Sequence, residues 1–400
     1  MNIYYLLYFD GRDHGGHASH ARGLVKALAK KVNSIEVFAP GWPTSFDDNV
    51  HHVNVLQWPK KHFYTLTYTI CLIPVLVVHL IKERPDVIYA RYFNLLFVIA
   101  LIIRLFRVPL VVEHNADIHI ENNIYNRGSL LRAFYMLSER ILLKNCSGSI
   151  VVADHIVESW EKRFSIDKSK IITIRNGVDT NIYKPGKMLY NKKVLSLDME
   201  KKHIVYVGSF VQYQGLHTLI KAFRIVVQKY PNVSLILVGG TTSQIQGIKD
   251  QIQSNGIKNK IKLYEKVDEP TAAKFVNAAN ICVAPYNKEV ALPDRSISFG
   301  TPMKGDPLKI YSYMACERPI VATYYREAGY LLEKIGAGVS VPPEKPEALA
   351  KALLDLLADE SKCREKGKKG REYVSNNATW QVAAKKTVGL LSSIIEKNNK

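Results

Sequence analysis

Acidic residues are scarce in this 400-residue chain: 36 Asp and Glu stand against 55 Lys and Arg, a formal net charge of +19. The five cysteines, Cys71, Cys146, Cys282, Cys316 and Cys363, are scattered and form no Cys-x-x-Cys pair. That excludes a disulfide framework or a zinc ribbon and fits a reducing, cytoplasmic location. No Asp-x-Asp pair occurs, so a dedicated metal site is not expected. A basic n-region with a cleavage site is also missing, because Met1–Phe9 enters a strand pattern at once, and no signal peptide is expected. No repeat at solenoid spacing is present. The positive charge is spread along the chain, densest at Lys362–Arg371, and no stacking motif or recognition helix accompanies it. Nucleic acid is therefore disfavoured as a partner. A lysine-rich solvated surface, attraction to anionic lipid and attraction to phosphorylated substrates stay open.

Long uninterrupted apolar runs are few. Phe63–Ile81 is long enough to span a bilayer but contains several threonines, Pro74 and His79. Phe93–Phe106 is too short and is broken by Arg104. Both lie between strand candidates, so buried helices of an α/β domain are expected. The alternative is a surface helix that dips into a membrane, oriented by Lys60, Lys61, Arg104 and Arg107.

The remaining composition, 47% hydrophobic and 23% charged, is that of a soluble globular protein, and the length suits two domains. Strand and helix patterns alternate along nearly the whole chain, which predicts parallel sheets covered by helices. Strands are expected from Ile3–Tyr8 to Ile171–Ile174 in the first half and from Ile204–Val207 to Val339–Val341 in the second. Thr180–Lys202, with Pro185, Gly186 and several lysines but no clear period, reads as the linker. The expected organisation is an α/β protein with two Rossmann-like, doubly wound domains, residues 1–185 and 186–378, facing a cleft. A C-terminal helical segment, 379–400, follows after the second domain is complete. Ligands are expected at the carboxyl ends of the strands.

Two loops invite a phosphate. Strand pattern His203–Val207 ends in Gly208, a polar loop follows, and Gly215 opens an amphipathic helix with Leu216, Leu219, Ile220 and Phe223 on one face. Near the N-terminus, Ile3–Tyr8 leads into Asp13-His14-Gly15-Gly16-His17 before a helix near Ser19. The spacing of Gly15 and Gly16 is not the dinucleotide fingerprint. Each loop also reads as an ordinary strand-to-helix turn.

The order of the pieces is more specific than any of them. Paired glycines, Pro85-Asp86-Val87-Ile88-Tyr89, Pro109–His114, Asn176-Gly177-Val178-Asp179, the Gly208–Gly215 loop, Pro307–Ala315 and Arg318-Pro319-Ile320-Val321-Ala322 follow one another. In this the chain resembles the family 4 glycosyltransferases of GT-B fold over essentially its whole length. The resemblance implies a metal-independent, anomer-retaining transfer from a nucleotide-diphosphate sugar, UDP- or GDP-linked, with no further cofactor. It implies an acceptor-binding first domain, a donor-binding second domain and a last helix crossing back to the first. The acceptor it suggests is a growing surface polysaccharide or lipid-linked glycan at the inner membrane face.

By the same resemblance, His114 is the first candidate catalytic group, facing the donor sugar, with Glu113 the second; Arg91, after Ile88-Tyr89-Ala90, reads as an acceptor contact or as the partner of a nearby acid. Donor-binding candidates are Gly15, Gly16, Gly208, Ser209, Gln214, Gly215, Gly239, Lys304, Leu308, Lys309 and Ser312. The chain departs from the family at four of these positions. Ser209 and Gln214 stand where the family carries an arginine and a lysine on the diphosphate, and Lys304 and Ser312 where it carries two glutamates. Losing a charge-assisted hydrogen bond costs on the order of 1.5–3 kcal/mol. Compensation is expected from Lys304, Lys309 or Arg295. The rival readings are a catalytically silent binding or scaffold subunit and a sugar-nucleotide epimerase.

Overall fold

The computed structural model describes residues 1–44, 46–57, 63–117, 129–253, 257–292, 295–298, 306–324 and 327–398. The chain divides into two compact units. The first comprises Met1–Gly177 and the segment from Trp380 onward, with Asp306; the second comprises the rest of Val178–Thr379.

The first unit runs β1 (Asn2–Leu6), α1 (Gly16–Ala29), β2 (Ser34–Ala39), β3 (Val50–Asn54), α2 (Tyr64–Lys82) and β4 (Val87–Arg91). It continues through α3 (Leu96–Leu105), β5 (Leu110–His114), α4 (Ser129–Asn145), β6 (Gly148–Val151), α5 (Asp154–Glu161) and β7 (Ile171–Thr173). Its parallel strands are ordered β3-β2-β1-β4-β5-β6-β7, with Ile3 opposite both Ile35 and Val87. Strand order therefore reverses between β1 and β4. Side chains alternate across each strand. Tyr4, Leu6, Ile88, Ala90, Leu110 and Val112 meet Tyr68, Leu72, Leu76 and Leu80 of α2, Ile99 and Ile103 of α3, and Leu142 of α4. Tyr5, Tyr89 and Glu113, set off from these by one residue, belong to the other face.

The second unit contains α6 (Met188–Val194), β8 (Lys202–Val207), α7 (Leu216–Lys229), β9 (Val233–Gly240), α8 (Thr242–Gln253), β10 (Ile261–Glu265), α9 (Glu269–Ala278) and β11 (Ile281–Ala284). A hairpin of β12 (Glu289–Leu292) and β13 (Arg295–Ser298) precedes α10 (Leu308–Ala315), β14 (Ile320–Thr323), α11 (Glu327–Lys334), β15 (Gly338–Val341), α12 (Pro346–Ala358) and α13 (Glu360–Asn377). The parallel sheet is ordered β10-β9-β8-β11-β14-β15, with its own reversal between β8 and β11. Leu219, Phe223 and Val226 of α7 join Leu349, Leu353 and Leu356 of α12 in its core.

The last helix, α14 (Trp380–Asn398), belongs to the first unit. Trp380 packs edge-on against His20 of α1 with ring centroids 5.0 Å apart, and Ile394 lies over Gly148. The units divide at Gly177, ahead of the expected boundary at 185/186. Thr180–Lys202 is no free linker. Its backbone is met by polar groups of the second unit: Gly186 N–H donates to Asn277 Oδ1 (2.8 Å), and Arg318 Nη2 and Arg371 Nη1 donate to the carbonyls of Gly186 and Tyr183. Helix α6 forms within it. Backbone groups satisfied in this way fix a segment whatever its composition.

Candidate active site

The candidate residues fall into two sets, one in each unit. In the second unit, β8 ends at Val207, and Gly208 and Ser209 lead to a single 3-10 turn at Gln212–Gln214. Gly215 then opens α7 with φ of 73°, where a side chain would run into the Pro285 carbonyl. Glycine is the residue that this left-handed, crowded position accepts. Asn287 holds the turn from the far side, donating its N–H to Tyr213 O (3.0 Å). Neither α7 nor α10 has an N-cap side chain bonded to its first turn.

Lys309, in the first turn of α10, reaches into this loop. Its Nζ donates to Tyr206 Oη (2.9 Å) and to Gln214 Oε1 (2.5 Å), and lies 4.2 Å from the Tyr206 ring centroid and 5.1 Å from that of Tyr286. Tyr206 Oη in turn donates to Ser209 O (2.8 Å). Burial of Tyr206 pushes its hydroxyl well above the usual phenol range, so it stays protonated and donates. A Cβ on Gly208 would lie 2.7 Å from Lys309 Nζ, so the absence of a side chain there leaves the ammonium at the loop. Tyr206 belongs to β8 and Tyr286 follows β11. The lysine therefore sits at the carboxyl ends of the two strands between which the order reverses, the usual ligand position in an open α/β sheet.

The structure brings Gly208, Ser209, Gln214, Gly215 and Lys309 together. Ser209 is exposed and Gln214 buried, and Leu308 is the first residue of α10. Gly239 packs against the Gly208 carbonyl, closing the end of β9 on that of β8. Ser312 stands apart: one turn along α10, its Oγ donates back to Leu308 O (3.3 Å) and it lies beside the Tyr183 hydroxyl. Lys304 lies outside the described residues, as does the side chain of Arg295. Gln214, where the family resemblance puts a lysine, accepts from Lys309 instead, so the positive charge reaches the loop from α10.

In the first unit, the loop after β1 is tied by Arg22 of α1, whose Nη1 donates to the carbonyls of Gly11 (2.5 Å) and Asp13 (2.7 Å). Gly15 is the N-cap of α1 and Gly16 its first residue, with no side-chain cap. Arg91, buried at the end of β4, donates to His17 O (3.3 Å) and lies over the Phe9 ring. It thus braces the paired-glycine loop at the β1/β4 reversal.

Glu113 is fully buried. It accepts from Tyr89 Oη (2.5 Å) and Asn115 Nδ2 (2.5 Å), and its Oε1 is 2.6 Å from His20 Nε2. Burial alone would raise its carboxyl, but His20, Arg91 and the Tyr89 hydroxyl outweigh that and hold it well below the usual carboxylate range. Asn176 N–H and Nδ2 bond to Asp306 (2.7 Å each), which turns Asn176 Oδ1 toward His20 Nδ1 at 2.7 Å. The Asn176-Gly177 motif therefore anchors Asp306 and orients His20, which orients Glu113. None of His20, Asn176 and Asp306 was expected in this chain of contacts. Their separations in sequence, 156 residues for His20–Asn176 and 130 for Asn176–Asp306, leave no local signal.

His114 ends β5 beside Glu113. Its ring stacks on Tyr92 (4.8 Å) and meets Trp160 edge-on (4.6 Å), and neither nitrogen has a hydrogen-bond partner among the described residues. Burial pushes its pKa down to about 3, against the weaker opposing pull of Glu113 and Asp117, so the ring is neutral near pH 7. A buried, unpartnered imidazole is costly and calls for a use. Among the described residues, no group of three or more His, Cys, Asp or Glu is placed to hold a metal ion.

Two family models match the chain in succession, Glycosyltransferase Family 4 over residues 14–182 and Glycosyl transferases group 1 over residues 201–359. The chain belongs to the family 4 glycosyltransferases. An uncharacterized glycosyltransferase of Methanocaldococcus jannaschii is 24% identical, covering 96% of this chain and 95% of that protein. Sucrose-phosphate synthase from Thermosynechococcus elongatus superposes with a TM-score of 0.80 at 20% identity, covering 99% of this chain and 100% of that one. Anabaena HepE, solved with UDP and glucose, superposes with a TM-score of 0.73 at 18% identity, covering 98% and 100%. This glycosyltransferase thus has the GT-B fold, with its paired-glycine loop in the part matched by the first model and the Gly208 loop and Lys309 in that matched by the second.

Proposed function

We propose that this glycosyltransferase moves a hexose from a nucleotide-diphosphate sugar to a glycan or lipid-linked acceptor, without a metal and with retention of anomeric configuration. The observation that carries the reading is Lys309, set at the β8/β11 reversal against the Gly208 loop. As the sugar departs, negative charge develops on the diphosphate and must be met by fixed donors or cations. Lys309 supplies the cation, and the uncapped starts of α7 and α10 supply backbone N–H groups. His114, neutral and without a hydrogen-bond partner among the described residues, is the group assigned to orient the reacting sugar. Arg91 acts as a positioning residue for the paired-glycine loop, and Glu113, oriented by His20, lies next to His114 in the chain. Retention, cytoplasmic action and a part in surface polysaccharide or glycoconjugate synthesis follow the family's habit. HepE, which holds UDP and glucose, makes UDP the first nucleotide to test.

Calorimetric titration with UDP, GDP and their common sugars in the presence of EDTA tests the reading. Saturable binding of one nucleotide, weakened about tenfold or more by Lys309→Ala, is the expected result. Absence of binding to every nucleotide overturns it in favour of a silent subunit, which the departures at Ser209, Gln214 and Ser312 would suit. Isomerised donor formed without acceptor would identify an epimerase.

A further inference from the structure

Helices α2, α3 and α4 lie in one layer over the same face of the first sheet, and the outer side of that layer is apolar. On α2 the inner row Tyr68, Leu72, Leu76 and Leu80 is buried in the core, while Leu66, Ile70, Pro74 and Val78 form a second row, also at four-residue spacing, that faces out. Ile81 continues it at 71% exposure. An ordinary surface helix carries polar residues on that side. On α3, Leu101 and Leu105 are exposed, the latter by 81%. On α4 the exposed side chains include Leu130, at 87%, Phe134 and Leu137. Phe97 and Phe134 meet edge-on at 6.0 Å, which joins α3 to α4. Isolated exposed leucines need no explanation, but aligned rows on adjacent helices do.

The charges of this layer are one-sided. Lys82, Arg104, Arg132, Arg140 and Lys144 are exposed, whereas Glu139, the one acid within the three helices, is buried and accepts from Trp160 Nε1 (3.1 Å). Although α2 has the length and mean hydropathy (1.9) of a membrane span, its inner row pins it along the sheet. A helix layer with an apolar outer side and solely basic exposed charges is complementary to anionic headgroups over an acyl boundary. We propose that the outer side of α2, α3 and α4 docks on an anionic lipid bilayer and holds the first unit at its surface. The use made of that contact, access to a lipid-linked acceptor, rests on the proposed glycosyl transfer; the contact itself does not.

Flotation of the full chain with phosphatidylcholine vesicles, with and without phosphatidylglycerol, tests the docking, and UDP titration of the same samples keeps donor binding separate. Wild type is expected to float with the anionic vesicles and to be released as salt rises. The double variant Ile70→Asp/Val78→Asp is expected to lose at least about tenfold in partitioning. Arg140→Glu/Lys144→Glu is expected to lose roughly fivefold for each charge removed. All variants should bind UDP as wild type does. The proposal is overturned if wild type ignores anionic vesicles or if the apolar variant floats equally well. It is also overturned if light scattering shows that the face pairs two copies of the chain and the variants abolish only that pairing.

Discussion

Lys309 is bonded to Tyr206 Oη and Gln214 Oε1 and lies against the faces of Tyr206 and Tyr286, which sets its ammonium at the loop where the proposed phosphate would sit. Lys309→Met keeps the aliphatic stem over those rings and removes the charge, so folding should persist while UDP affinity falls by about 10- to 100-fold, equivalent to roughly 1.5–3 kcal/mol. Calorimetry beside a thermal melt checks both halves of that statement. His114 makes a second, opposite case. Its pKa, pushed by burial to about 3, is below the ordinary value near 6.5, so the unfolded chain takes up the proton first. Stability is therefore lost as pH falls from about 6.5 toward 3, with a slope of up to about 1.4 kcal/mol per pH unit. Glu113, held below the carboxylate range, adds to the loss only beneath its unfolded value near 4.5, and His203, lowered to about 4 by burial, contributes alike in both proteins compared. Urea denaturation of wild type and His114→Phe between pH 7 and pH 5 isolates the term. The variant should have the shallower slope and, with no unpartnered ring nitrogens, higher stability at pH 5, together with reduced transfer activity. An unchanged slope would remove His114 as the titrating group.

At the scale of elements, local signals sufficed wherever period and glycine agreed. The path from β8 through Gly208 to α7 was readable because an apolar run, a glycine and an amphipathic pattern follow in order. That α2 is a helix of the α/β domain was equally readable, yet which of its rows faces the sheet was not, since a helix that is apolar all round gives no direction to its faces. Helix α13 was hidden by its own composition: the basic run Lys362–Arg371 masks a thin packed face of Gly367, Gly370 and Val374, while Asp359 caps the helix by accepting from Lys362 N–H (2.9 Å). The network through His20, Asn176 and Asp306 was illegible for a different reason, being tertiary throughout. The contact of α14 with α1, besides His20 against Trp380, needs one residue that lacks a side chain. A Cβ at Gly23 would fall inside the buried Trp380 indole, a rigid ring rather than a flexible tip. Gly23→Ala should therefore destabilise the first unit by about 1–3 kcal/mol despite alanine's better helix propensity. Equilibrium denaturation followed by tryptophan fluorescence reads this directly, and a stabilised variant would show that α14 does not hold against α1 at this point.

Across the whole molecule, each unit owns a parallel sheet, a core and a strand-order reversal, and the donor assignment rests on the second unit alone. The order of motifs along the chain suggested this division only through the family resemblance it carries; the Gly208 loop, at the carboxyl end of β8, is the motif whose place was readable from the sequence itself. The boundary was less legible, since Thr180–Lys202 is fixed by Asn277, Arg318 and Arg371 far along the sequence. A ligand that binds the native second unit should stabilise that unit by mass action, about 2.7 kcal/mol when its free concentration is a hundred times its dissociation constant. Amide hydrogen exchange with and without UDP resolves where that energy appears. Slowed exchange is expected at Gly208–Leu219 and Leu308–Ser312, with β8, β9 and β11 following through their shared ladder. In Lys309→Met, with affinity about 10- to 100-fold lower, the same concentration of UDP should leave only about 0.4–1.4 kcal/mol of that protection. Protection confined to the paired-glycine loop and β4 would instead place the nucleotide in the first unit, and Lys309 would lose its role.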